Sequence, residues 1–289
     1  MENTTIYLSD LICNCLNSIF LKFFSFFDAT IYSNLDNLLL IRPTIVDNLK
    51  FQKLFGTDAS NGFLLIAHSL IFGIILFYVL HLVISHLIYS KIDSPYQFIF
   101  KCIIFITCMN CSLWICKQII YLVSLISESI CQIGYFNYGI ETNFSNLIDS
   151  INSALCLSSE TFEIFSLDGI IKLLTTFGIF YILLTFCMRY LFCKILILLS
   201  PFAFISLICN RFDGFFKSWF KQFLILLSMQ IFVFIVLVLG FSLEFYANDA
   251  LSKLIYCAII MILAKSHFHT KEFFSQMHNY SRNSLKNFI

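Results

Sequence analysis

Between Phe223 and Leu243 the chain runs for 21 residues without a charged side chain. As an α-helix that run would be about 31 Å long, at roughly 1.5 Å per residue. A helix crossing a bilayer needs about 20 mostly apolar residues, and one that is apolar all round has no face to give to water. Three more segments share this character: Gly62–Tyr89, interrupted by His68, His81 and His86; Phe98–Ile126, with Lys101 near one end and Lys117 deeper; and Gly169–Met188, with Lys172 near its start. Phe245–Ala264 is a weaker fifth, because it contains Asp249 and Lys253. Composition agrees: 59% of residues are hydrophobic, 36 are Phe, and only 12% are charged, where a soluble domain carries about 25% charge. The expectation is an all-α polytopic membrane protein with five transmembrane helices.

Charge orients these helices, because cytoplasmic loops are enriched in Lys and Arg. The segment 127–168 has neither, yet carries Glu128, Glu141, Asp149, Glu160, Glu163 and Asp168, so it is expected outside. Arg189, Lys194, Arg211, Lys217 and Lys221 face Asp213 alone, which places 189–221 inside. The tail 265–289, with Lys265, Lys271, Arg282 and Lys286, is also inside. The resulting layout is N-out and C-in. It has an extracytoplasmic amphipathic region at 1–61, two spans within 62–126, the acidic loop 127–168, a transmembrane core at 169–264 and the basic tail. Only two crossings fit between Asp168 and Glu244, so 190–209 is read as part of an elbow at 200–221 rather than a separate span. In that reading Arg189 and Lys194 snorkel to the inner surface, and Pro201, which lacks a backbone donor, ends the helix. The alternative makes 190–209 a sixth crossing.

The N-terminal stretch LICNCLNSIFLKFFSFF is not a secretory signal, since it lacks a basic start and is broken by Asn14, Asn17 and Lys22. Ile12, Leu16, Ile19, Phe23 and Phe27 follow helical spacing, which predicts an amphipathic helix. The external loop spaces Phe136, Tyr138, Phe144, Leu147, Ile148, Ile151, Leu155 and Phe162 among its acids. This predicts short amphipathic helices that pack on the N-terminal helix or on a partner.

No catalytic, metal or cofactor motif stands out. There is no Gly-Lys-Ser/Thr phosphate loop and no dinucleotide fingerprint, and no HExxH or GxSxG. Cys108-x-x-Cys111 lies mid-span without a second pair, so it reads as two small hydrophobes; Cys131 and Cys156 share a polar loop and could pair. A net charge of +1 gives no basic field for nucleic acid. What remains is a set of polar groups in apolar surroundings. Asn110, Lys117 and Gln230 lie within spans, where polar side chains face protein; helix–helix hydrogen bonding is the plain reading for Asn110 and Gln230. Lys117 needs a partner or a wet groove. Lys172 and Lys253 are expected to snorkel outward. Trp219, beside Phe215, Phe216, Lys217 and Lys221, reads as a headgroup-level anchor.

One resemblance reaches further. Arg189-Tyr190, Ser200-Pro201-Phe202-Ala203-Phe204, Phe216-Lys217-Ser218-Trp219, Gln230 in a Phe-rich span, Phe241-Ser242-Leu243 and Leu251-Ser252-Lys253-Leu254 together resemble the TrbL family of conjugal transfer proteins. These are inner-membrane components of type IV secretion systems, and the likeness is to the version in Gram-positive conjugative elements. It covers residues 185–275. It implies a non-enzymatic channel or platform subunit in the plasma membrane that helps move single-stranded DNA with attached relaxase. The implied partners are other channel proteins, separate ATPases and further copies of the chain, with the bilayer as solvent. Arg189, Pro201, Lys217, Trp219 and Gln230, with Lys117 and Asn110, become candidate structural or subunit-contact positions. The rival is a small-solute permease with a solute site among Asn110, Lys117 and Gln230; an intramembrane enzyme is a third reading.

Overall fold

The computed structural model describes residues 2–56, 62–88, 95–139, 141–154, 166–208, 213–242 and 250–272. Among them the chain is all-helical: α1 (Glu2–Leu39), a 3-10 turn (Pro43–Val46), α2 (Leu49–Phe55), α3 (Phe63–Ile88), α4 (Pro95–Asn110), α5 (Ser112–Tyr138), α6 (Phe144–Ala154), α7 (Leu167–Ser206), α8 (Asp213–Ser242) and α9 (Ala250–Ala264). Four helices are long and apolar enough to cross a membrane, α3, α5, α7 and α8. A fifth is added if α9 and the helical stretch Ser266–Glu272, bent by 60° at their break, count together. The multi-pass all-α expectation therefore holds in its number of long apolar helices.

The second of these helices is displaced from its expected position. The break at Cys111 separates α4 from α5, and the long helix runs over Ser112–Tyr138 rather than 98–126. Reading stops too early from sequence because Glu128 looks like the start of a loop. α5 instead carries it a further ten residues. The stretch 190–206 likewise continues α7 and forms no span of its own.

Pro201 does not end the helix; it lies inside α7, which runs on to Ser206. A helical proline leaves the carbonyl four residues earlier without its donor, here that of Ile197. The Ser200 hydroxyl donates to that oxygen at 2.7 Å, so the missing bond is replaced locally and the helix survives. The expected elbow thus becomes the last turn of α7, residues 207–208, and the first turns of α8; residues 209–212 fall outside the description.

The chain divides into two compact units. The first comprises Met1–Leu40, Leu125–Arg189 and Ser228–Ile289. Its core joins Leu35 and Leu39 of α1, Phe144, Leu147, Ile148 and Ile151 of α6, and apolar residues of α7, α8 and α9. The inward side chains of α6 repeat at three- and four-residue steps, the period of one helix face. The expectation that this loop helix packs on the N-terminal helix is met. The α1 face itself differs from the expected one: Leu16, Phe20 and Phe24 turn inward onto Leu173, while Ile19 is 63% exposed. Close approach is enforced at two glycines, since a Cβ on Gly134 would lie 2.4 Å from Thr142 and one on Gly178 2.6 Å from Ile260.

The second unit comprises Ile41–Ser124 and Tyr190–Leu227. Ile41, Ile45, Val46 and Phe51 join the ends of α3, α4, α5, α7 and α8 in one core. Asn48 caps α2 by accepting from the Lys50 amide at 3.0 Å, and Gly56 closes it at φ 100°. The α3–α4 pair is fastened by Tyr78 and Phe98, whose rings stack at 3.6 Å.

Candidate functional site

Two capping interactions between elements distant in sequence hold the first unit. The last four carbonyls of a helix lack internal partners and carry the negative end of its dipole. Arg189 meets this need for α1: its guanidinium donates to the Leu38 oxygen at 2.9 Å and also to that of Leu39. The group lies 5.0 Å from the Phe186 ring centroid and is 3% exposed. Arg189 therefore does not snorkel to water; it is a buried cap on another helix. Asp36, in the same last turn of α1, does the converse for α6. Its carboxylate accepts from the Phe144 amide at 2.8 Å, the Ser145 amide at 3.3 Å and the Ser145 hydroxyl at 2.8 Å. A carboxylate is favoured there by the exposed N–H groups and positive dipole end of α6. The acid and the base thus each neutralise a helix end rather than marking a catalytic pair.

These contacts fix the relative course of three helices. Lys172 lies over the Phe24 ring at 5.7 Å, while Arg189 holds Leu38 and Leu39. α1 from 24 to 39 therefore runs beside α7 from 172 to 189 in the same direction. α6 runs the opposite way along α7, with Phe144 5.9 Å from Phe186 and Asn152 accepting from Lys172 at 2.6 Å. The sequence layout keeps residues 1–61 and 127–168 outside, yet parts of both lie along the length of α7 that it takes through the membrane.

The remaining candidate residues are engaged one at a time. Gln230 is fully buried and donates to the Ser127 hydroxyl at 3.1 Å, which is the helix–helix role expected of it. Lys117 forms an ion pair with Asp47 at 2.6 Å. Asn110 ends α4 with its side chain exposed, so it does not face the interior as expected. Lys217 is exposed and pairs with Asp213 one turn earlier at 2.5 Å. Trp219 is no headgroup anchor: it is 4% exposed, its indole donates to the Leu196 oxygen at 2.9 Å, and Phe204, Phe216 and Phe223 surround it. Lys194 lies over the Tyr190 and Phe51 rings at 4.5 and 5.9 Å. Lys172 is 1% exposed and so does not snorkel; Lys253 pairs with Asp168 at 2.7 Å.

Cys108 and Cys111 are free thiols, and among the described residues no three His, Cys, Asp or Glu side chains gather as a metal site would require. Cys131 meets Thr142, whose hydroxyl lies 2.9 Å from its sulfur; Cys156 lies outside the described residues. Sequence reasoning missed Asp36, whose role depends on a helix over a hundred positions away, and it placed Glu128 in a loop rather than within a long apolar helix. No family model matches the chain, and no curated protein does either.

Proposed function

We propose that this chain is a multi-pass subunit of a conjugative type IV secretion channel in the plasma membrane. It helps single-stranded DNA, with its attached relaxase, across the bilayer, while separate ATPases supply the energy. One observation favours this over the permease reading: Gln230 and Lys117 each hold a partner of their own within their own unit, and Asn110 is exposed. Gln230 binds Ser127, Lys117 binds Asp47, and Asn110 stands exposed at a helix end. Ligand sites are built by a few convergent polar groups in a concave pocket. Here Gln230 instead fastens one helix to another and Lys117 ties α5 to the turn before α2, as a platform or channel wall requires. The segments that resemble the TrbL family fall mainly on α7, α8 and α9, the helices that supply much of both cores.

The test is a mating assay. The gene is deleted in-frame from a donor cell and restored in trans. The expected result is loss of transconjugants with normal donor growth, recovered by the intact gene. Transfer that is unchanged by the deletion overturns the secretion reading and returns the search to a transported solute.

A further inference from the structure

The segment Ile41–Phe55, made of the 3-10 turn and α2, belongs wholly to the second unit. Its inner side is apolar and covered: Ile41, Ile45, Val46, Phe51 and Phe55 are each at most 7% exposed. Its outer side is mixed. Arg42, Lys50 and Lys53 are exposed, and so are Leu49 and Leu54, at 66% and 50%. At roughly 100° per residue, Leu49, Lys53, Lys50 and Leu54 follow one another around α2, so each leucine stands beside a lysine. Among the described residues no carboxylate pairs with Arg42, Lys50 or Lys53. The segment's one acid, Asp47, is already held by Lys117 of α5 at 2.6 Å. The outer side therefore offers positive charge and bare leucine together. Its neighbours show where it lies. Lys117 stands near the start of α5, and Lys194 of α7 lies 5.9 Å from the Phe51 ring centroid. Two residues on, the Leu196 oxygen of α7 accepts from Trp219 of α8, which sits between Lys217 and Lys221. Three long apolar helices thus carry their lysines around one stretch of α7. Long cationic side chains on spanning helices gather where their heads reach the membrane surface.

We propose that the outer side of Ile41–Phe55 binds anionic phospholipid. Arg42, Lys50 and Lys53 take headgroup phosphates, and Leu49 and Leu54 enter the boundary with the acyl chains. A lipid surface supplies both partners that this side lacks, negative charge and apolar contact. A nucleic-acid strand supplies only the first. Proteins that hold single strands add aromatic platforms for the bases, and the two aromatic side chains of this segment, Phe51 and Phe55, point into the core. The binding also has a side. The segment sits on the bilayer face of Lys194, whereas the charge layout puts residues 1–61 on the opposite face from it. This inference rests on α5, α7 and α8 crossing a membrane and not on the secretion reading.

The experiment uses the full chain, reconstituted in vesicles of phosphatidylglycerol and phosphatidylcholine in equal parts, with a distinguishable label on each lipid. A photo-reactive benzoylphenylalanine replaces Leu54 in one variant and Leu76, 63% exposed in the middle of α3, in another. After irradiation the adducts at position 54 are expected to favour phosphatidylglycerol about fivefold, the scale of one basic side chain at an anionic surface. Those at position 76 are expected to show no preference. Replacing the three cations together, Arg42→Gln, Lys50→Gln and Lys53→Gln, is expected to abolish the preference at 54 while leaving the adducts at 76 unchanged, which shows that the chain is still inserted. The proposal is overturned by an absence of lipid adducts at 54, by equal labelling of the two lipids there, or by a preference that survives the triple substitution. It is also overturned if an added single-stranded oligonucleotide is cross-linked at 54 in place of lipid. Because the readout is a lipid adduct and not transfer, it can succeed when the mating assay fails.

Discussion

In the unit that holds α1, α6 and α9, polar side chains entering the core are sealed: Arg189 is 3% exposed and Gln230 is fully buried. In the unit that holds α2, α3 and α4, Lys117 and its partner Asp47 keep 38% and 46% of their side-chain surface. Both sets arise in apolar segments, and hydropathy does not separate them. The environment does. A charge taken out of water depends on its local partners, and losing one strands the other. A half-exposed pair can fall back on solvent, and its attraction is screened. The first unit should therefore be brittle at Arg189 and Gln230, and the second tolerant at its half-exposed Lys117–Asp47 pair.

The strongest test is Arg189→Ala, which leaves the α1 carbonyls without donors. A loss of about 3 kcal/mol is expected, two charge-assisted hydrogen bonds being involved, read as thermal unfolding in detergent micelles. A drop below about 1 kcal/mol, the scale of an exposed pair, would erase the contrast. Asp36→Ala should cost about 1.5 kcal/mol, as a lost helix cap does. Limited proteolysis would show α6 opening first; uniform digestion would mean that the cap is dispensable. Ser200→Ala is expected to cost about 1 kcal/mol by orphaning the Ile197 oxygen. In a Pro201→Ala background that cost should shrink, since the new backbone N–H can take the same acceptor; an unchanged cost in this double-mutant cycle refutes the substitution of serine for the missing amide. Lys117→Gln should change stability least, by at most about 0.5 kcal/mol, and added salt should narrow even that. A loss as large as that for Arg189→Ala would place Lys117 in a sealed site after all.

The sealing itself has a structural source. α6 is short and carries Asn146, Asp149, Ser150 and Asn152, which suits a loop outside a membrane. Its inward face, Phe144, Leu147, Ile148 and Ile151, is nevertheless at most 1% exposed. Burying that face brings two helix ends into the core with it, and those ends demand Asp36 and Arg189. α3 is the opposite case. It is the most continuously apolar helix after α8, yet only 11% of its span is buried, against 61% for α8. Equal hydropathy therefore does not mean equal neighbours: α8 packs largely on protein, whereas α3 presents its side chains outward.

The sequence by itself determined the class of this protein. Apolar runs of spanning length with few prolines and glycines admit little besides long helices, and three-residue and four-residue steps marked the buried face of α6. Gln230 could also be read correctly, because an amide in an uncharged helix has few options other than another helix. What only the tertiary structure decided were the partners. Trp219 looked interfacial because its neighbours in sequence are lysines, but its neighbours in space are Phe204 and Phe223. Pro201 looked like a stop because the Ser200 hydroxyl that replaces its bond depends on a rotamer, not on spacing. Arg189 looked like a snorkelling cation because nothing near it in sequence reveals the end of α1. Hydropathy is additive along the chain and can be summed from composition. Hydrogen bonds and charge neutralisation are pairwise across it, and they are fixed only when the helices have been brought together.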